Sequence, residues 1–175
     1  MGMFLYFSFG SNLLKERIRI SNPSAVYQGI GQLKGYRFRY GLPKGMKDPL
    51  ETRWRGSAAT IEKDVSQSVW GTLWTLNDTD RPNLDRQEYT YTPIVVNVVD
   101  EKGKNCSCLT YQIKELEEGL ALPSPQYKDV VLRGARQSKL PEEYIMFLES
   151  LPDNGFEGRV EVYEKVLKLL ENNTP

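Results

Sequence analysis

Three short stretches of this chain carry residue types that could do chemistry. In YFSFGSNLL an aromatic run ends in Gly10, Ser11 and Asn12 just before a helical pattern begins. Glycine lets a backbone approach a ligand closely, and the N–H groups at the start of a helix attract an anion without any charged side chain. Such a turn could cradle a carboxylate or a phosphate. It matches neither GxGxxG nor GxxxxGK[ST], and a plain strand-to-helix turn is the simpler account. The second stretch is NLDRQEYTY, in which Glu88 follows Asp85 by three positions at the end of a predicted helix. The helix dipole disfavours a carboxylate there. If it is buried, its pKa rises and it becomes a proton shuttle near neutral pH; a solvated glutamate at a helix end is the plainer reading. The third is PSPQYK, where Pro123 and Pro125 stiffen the approach to a helix and fix Tyr127. Its hydroxyl could bind a ligand, or the ring could simply pack with its tip in water.

The 175 residues include no histidine. Ser-His-Asp and Cys-His catalysis, imidazole proton shuttles and His-ligated zinc are therefore excluded. Acid–base work falls to Glu, Asp, Tyr, Lys or Cys. Cys106 and Cys108 lie two apart in a predicted strand and share a face, which suits neither a tetrahedral zinc site nor a common disulfide framework; they read as ordinary strand residues. Trp70 and Trp74 read as core, because no basic residues interleave with them to make a stacking platform. The 23 basic and 23 acidic residues cancel, so no overall field draws the chain to nucleic acid or anionic lipid. No apolar run approaches the ~18 residues of a membrane helix, and the N-terminus shows no signal pattern. Residence in the cytoplasm is the expectation, and the N-x-S/T triplets at Asn77, Asn105 and Asn172 are expected to be idle.

These residues need elements to hold them. Residues 3–9 read as a strand and 12–18 as a short helix capped by Ser11 or Asn12. Two strands follow within 25–40, the second alternating Tyr36, Phe38 and Tyr40 against Arg37 and Arg39. Residues 43–55 look like a long surface loop. Strands at 57–61 and 68–76, a helix at 78–87 and a hairpin of 91–99 with 105–113 come next. After Leu122 the pattern turns helical, at 125–137, 141–151 and 160–170. Strands first and helices later predict one α+β domain over 1–175, with a strongly curved or closed sheet.

Taken in order, YFSFGSNLLKERI, NPSA, WRGSAATI, VWGTLW, LDRQE, LPSPQYK and RGARQSKLPEEY resemble the γ-glutamylcyclotransferase family over nearly the whole chain. The resemblance implies an enzyme that turns a γ-glutamyl amino acid into 5-oxoproline and the free amino acid, with neither metal nor cofactor. It implies that Tyr6, Phe7, Ser8, Phe9, Gly10 and Ser11 form the substrate loop, that Glu88 is the catalytic carboxylate, and that Tyr127 contacts substrate. A small mixed β-barrel with flanking helices and a homodimer are implied with it. Two positions depart from the family strings YFAYGSN and LDxQEG: Phe9 lacks a hydroxyl, and Tyr89 stands where the family has glycine. Those departures leave two alternatives, a cyclotransferase for γ-glutamylamines and a non-catalytic paralogue that binds a γ-glutamyl metabolite or a protein partner.

Overall fold

The computed structural model describes residues 2–173. Five strands, β1 (Met3–Ser8), β2 (Val26–Gly41), β3 (Ala58–Asn77), β4 (Thr92–Asp100) and β5 (Asn105–Gln112), close into a barrel in the order β1-β3-β2-β4-β5. Four of the pairings are antiparallel, and β1 meets β5 in parallel at Tyr6 and Leu109. The five helices are α1 (Lys15–Ile18), α2 (Arg81–Gln87), α3 (Pro125–Gln137), α4 (Glu142–Ser150) and α5 (Glu161–Asn172). A mixed barrel with flanking helices is the architecture the sequence implies.

The strand count differs from the sequence reading for a physical reason. The two strands expected within 25–40 are the single strand β2, and those expected at 57–61 and 68–76 are the single strand β3. Gly29 and Gly35 take φ of 126° and 83° at the two register shifts of β2, so they bend the strand where a turn residue would have ended it. Opposite Gly35, residues 64–67 fall outside the register between Lys34↔Ser68 and Tyr36↔Lys63. There the Asp64 carboxylate accepts hydrogen bonds from the Ser66 N–H and hydroxyl, and pairing resumes on both sides. Long, bent strands allow a sheet of only five to curl shut.

The larger apolar cluster gathers Phe7, Leu33, Ile61 and Val69 with Val130, Val131 and Leu148 of α3 and α4. A second cluster joins Trp74, Leu76 and Tyr6 to Ile18 of α1 and Leu84 of α2. Trp74 is a core residue as expected, its indole N–H donating to the Ser8 and Thr72 hydroxyls at 3.0 and 2.8 Å. Cys108 is buried and Cys106 half-buried, both as free thiols, and burial pushes the Cys108 thiol up to about 12. Helix α3 is brought against the residues that follow β1 by Gly134, where a Cβ would stand 2.5 Å from the Leu13 Cβ. That close approach ties the helical layer to the turn at Gly10.

Candidate active site

Helix α2 opens with Pro82 in its first turn, where a missing N–H costs nothing, and buries Leu84 in the second cluster. Glu88 is the residue just past its end, at φ −102° and ψ 34°, with its N–H on the Leu84 carbonyl at 3.0 Å. The residue as a whole is half-buried, and its carboxylate meets the Asn12 side chain that follows β1. Asn12 donates from Nδ2 to Glu88 Oε1 at 3.3 Å and to the Tyr6 hydroxyl at 3.2 Å. Gln87 Nε2 donates to Asn12 Oδ1 at 2.9 Å, and Asn22 Nδ2 to Gln87 Oε1 at 3.1 Å. Three side-chain amides thus line up head to tail with their donor ends toward Glu88.

The turn after β1 is tighter than a regular helix start. Residues Ser11–Leu13 form a single 3₁₀ turn, Leu14 is extended, and α1 has only four residues. The expected side-chain cap from Ser11 or Asn12 is not made, because the Asn12 amide is taken by Tyr6, Glu88 and Gln87. Gly10 has an ordinary negative φ of −112°. What it lacks is room: a Cβ would lie 3.0 Å from both the Ala59 methyl and the Tyr127 hydroxyl.

Tyr127 is set by the cap of α3. Ser124 accepts the Tyr127 N–H at 3.1 Å, Pro125 begins the helix, and the ring packs edge-on against Trp54 at 5.0 Å and Tyr40 at 6.0 Å. Its hydroxyl accepts the Ala59 N–H at 3.0 Å and keeps its own proton to donate. The Tyr91 hydroxyl donates to the Ala59 carbonyl at 2.7 Å, so a single residue of β3 orients both phenols, one through its N–H and the other through its carbonyl.

Tyr6, Phe9, Gly10, Ser11, Glu88 and Tyr127 line one cavity of about 130 Å³. Phe7 and Ser8 do not. Phe7 points to the opposite face of β1 and is fully buried in the barrel core, while Ser8 is held by Thr72, Trp74 and the Asn12 carbonyl. Phe9 packs on Phe7 and Phe38 at 6.4 Å and is 6% exposed; Tyr89 is 77% exposed at the rim of the cavity. Asn12, read in the sequence as part of the turn and as a possible helix cap, also lines the cavity, as do Arg53, Trp54, Gln87 and Tyr91, which were not singled out. Trp54 is the correction to the reading of 43–55 as surface loop: it is 4% exposed and forms a wall of the site. A tryptophan inside a polar, proline-containing segment was the available signal.

Burial pushes the Glu88 carboxyl up to about 7, against the opposing pull of the Arg17 and Arg53 guanidiniums. Burial also raises Tyr6 and Tyr91 well above the usual phenol value and Tyr127 to about 12, so all three are neutral donors at physiological pH. Arg17 is buried with its guanidinium over the Trp54 ring, and burial followed by the charge of Arg53 lowers it to about 10. It stays a cation. The cavity therefore offers one carboxyl poised between its two forms, neutral hydroxyls, and positive charge behind and beside it. Among the described residues no three Cys, Asp or Glu side chains group as metal ligands.

Comparison with known proteins identifies the family. Residues 68–148 match the model of the AIG2-like family. The chain is 40% identical to the γ-glutamylcyclotransferase of Bos taurus and 36% identical to that of Homo sapiens, in each case over 98% of this chain and 91% of the relative. It superposes on a solved γ-glutamyl cyclotransferase with a TM-score of 0.88 at 35% identity, covering 95% of this chain and 99% of the other. A more distant likeness, to YkqA of Bacillus subtilis at 24% identity and a TM-score of 0.66, speaks for the fold alone. The chain belongs to the γ-glutamylcyclotransferase family.

Proposed function

We propose that this enzyme converts γ-glutamyl amino acids or short γ-glutamyl peptides to 5-oxoproline and the free amino acid, with Glu88 as the acid–base group. The observation that carries the reading is the convergence of the Gly10 turn, Glu88 and Tyr127 on one cavity. The α-amine of the substrate attacks its own γ-carbonyl, so nucleophile and electrophile belong to one molecule. Holding that chain in a near-attack fold can contribute ~7–11 kcal/mol where alignment is good. Two protons leave the ring nitrogen and two arrive on the departing nitrogen, and the Glu88 carboxylate ferries them one at a time. A carboxyl near pKa 7 can both accept and return a proton at neutral pH, which typically gives ~10² to 10⁴ in rate. The Tyr6 and Tyr127 hydroxyls and the backbone of residues 10–12 hold the carboxylate and carbonyl oxygens of the γ-glutamyl half with donors already in place.

The test is 5-oxoproline release from γ-glutamyl-alanine by the wild type and by Glu88→Gln, which keeps the shape and removes the base. Release that the substitution abolishes supports the role of Glu88; undiminished release overturns it. For assembly and location the same reading takes a homodimer in the cytoplasm, as the family resemblance implies, with light scattering and cell fractionation as the checks. No helix among the described residues is long and apolar enough to cross a membrane.

A further inference from the structure

The site contains a cation that the acid–base scheme does not use. Arg53 is the one Lys or Arg among the described residues that line the cavity. It sits at the exposed rim, and no carboxylate of the described residues lies within ion-pair distance of it. Its backbone is held in place. The Thr52 hydroxyl donates to the Gly56 carbonyl at 2.8 Å and accepts the Gly56 N–H at 3.0 Å, and Trp54, the next residue, is locked in the wall against Tyr127. The guanidinium is anchored by one arm, Nη2 donating to the Gln87 carbonyl at 3.0 Å, one residue before Glu88. A fixed guanidinium with donors to spare beside the acid–base group is a receptor for a planar anion.

The substrate carries two carboxylates. The one on the γ-glutamyl half travels with the α-amine, which must reach Glu88 in the buried part of the cavity near Tyr6, Ser11 and Asn12. The other belongs to the departing amino acid and lies only two bonds from the scissile nitrogen. It must therefore sit close to Glu88 yet toward the mouth, which is where Arg53 stands. We propose that Arg53 forms a subsite for the α-carboxylate of the leaving amino acid, making the enzyme selective for γ-glutamyl amino acids over γ-glutamylamines that lack this group. The same contact keeps the leaving carboxylate from repelling the ionised form of Glu88. This inference rests on the cyclotransferase reading above.

Alanine and ethylamine differ only by that carboxylate, so γ-glutamyl-alanine and γ-glutamyl-ethylamide make the comparison. With 5-oxoproline release as the readout, kcat/KM is measured for both substrates on the wild type, Arg53→Met and Arg53→Lys. The expected result is that Arg53→Met loses about 10- to 100-fold on γ-glutamyl-alanine, mostly in KM, and stays within a few-fold of wild type on the ethylamide, with Arg53→Lys in between. Because the ratio is compared between variants, the different basicity of the two leaving amines cancels. An equal loss on both substrates would overturn the subsite, since it would mean that Arg53 acts on the charge of Glu88, or through the Gln87 carbonyl on its position, and not on the leaving carboxylate. Unchanged preference in Arg53→Met would overturn it as well. Failure of the wild type to turn over either substrate would instead bring down the cyclotransferase reading, and the subsite with it.

Discussion

The side-chain amide of Asn12 donates from a single nitrogen to both the Tyr6 hydroxyl, at 3.2 Å, and the Glu88 carboxylate, at 3.3 Å. Behind it, Gln87 and Asn22 continue the chain, and each amide presents its NH₂ end to the next oxygen toward Glu88. The carboxylate is thus tied, through Asn12, Gln87 and Asn22, to residues of the N-terminal segment that lie far from it in sequence. Replacing Asn12 by Asp keeps the size and reverses the logic, because a second carboxylate faces the first and an acceptor faces Tyr6. The Glu88 pKa then rises further, since like charges disfavour ionisation. The acidic limb of kcat/KM for γ-glutamyl-alanine is expected to move to higher pH than in the wild type, with activity at pH 7 down by at least 10-fold. An unmoved limb would mean that Asn12 does not control the charge of Glu88.

The raised pKa of Glu88 also has a consequence for stability, and its sign can be worked out. The unfolded chain releases this proton near the ordinary value of 4.5 and the folded protein near 7, so between those values the folded state holds more protons than the unfolded one. Stability linked to Glu88 is fully present below about pH 4.5 and is lost as pH rises through 7. Glu88→Gln, a neutral isostere that can still accept from Asn12, escapes the loss. It is expected to be as stable as the wild type near pH 4.5 and more stable at pH 8, by about 2–3 kcal/mol. Thermal unfolding at the two pH values checks this; a variant no more stable than wild type at pH 8 would show that the carboxyl is less desolvated than its surroundings indicate.

Arg17 is the largest opposing influence on Glu88 and is itself costly to bury, with Nε and Nη2 unpaired with any side chain or backbone group. Its guanidinium carbon lies 5.7 Å from the centre of the Trp54 ring. Arg17→Met fills the same space without charge. The Glu88 pKa should then rise, shifting the acidic limb upward, while global stability changes by no more than about 1 kcal/mol, because a buried unpaired cation is readily replaced by an apolar chain. Arg17→Lys should restore the limb. If both variants behave alike, Arg17 serves packing and not the field at Glu88.

Much of this site was legible in the chain and some was not. Glu88, Tyr127 and the Gly10 turn could be singled out through local chemistry, as a carboxylate past a helix end, a tyrosine behind two prolines and small residues after a strand, but on the residues alone each read more simply as structural, and their roles came from the family resemblance. Phe7 and Ser8 share the same string, yet strand alternation sends Phe7 into the core, and the hydrogen bonds of Trp74 and Thr72 absorb Ser8. Arg53 and Trp54 were not assigned: a tryptophan in a polar segment hinted at burial, but their place at the site depends on a loop folding back so that Trp54 meets Tyr127 of α3, and no local period records such contacts. The barrel was readable as a curved sheet, but glycines that bend a strand look in sequence like glycines that end one. Gly35, between the two alternating runs of residues 25–40, therefore reads as the end of one strand and the start of another.

The last dependence runs from the helical layer into the chemistry. Gly134 lies within α3, three residues before its end, where alanine would ordinarily favour the helix by up to ~1 kcal/mol. Here the added Cβ meets the Leu13 Cβ at 2.5 Å, the Leu14 nitrogen at 2.6 Å and the Leu13 carbonyl carbon at 2.7 Å, and two of the three are backbone atoms that cannot rotate away. Either α3 lifts, taking Tyr127 with it, or residues 11–14 shift and carry Asn12 off Glu88. Gly134→Ala is therefore expected to lower stability by about 1–3 kcal/mol, the usual cost of overpacking, and to lower kcat more than it raises KM. Steady-state kinetics at a temperature well below the variant's own Tm separates the two effects. Full activity in a stably folded Gly134→Ala would mean that the turn at Gly10 and the carboxylate it faces do not depend on the seating of α3.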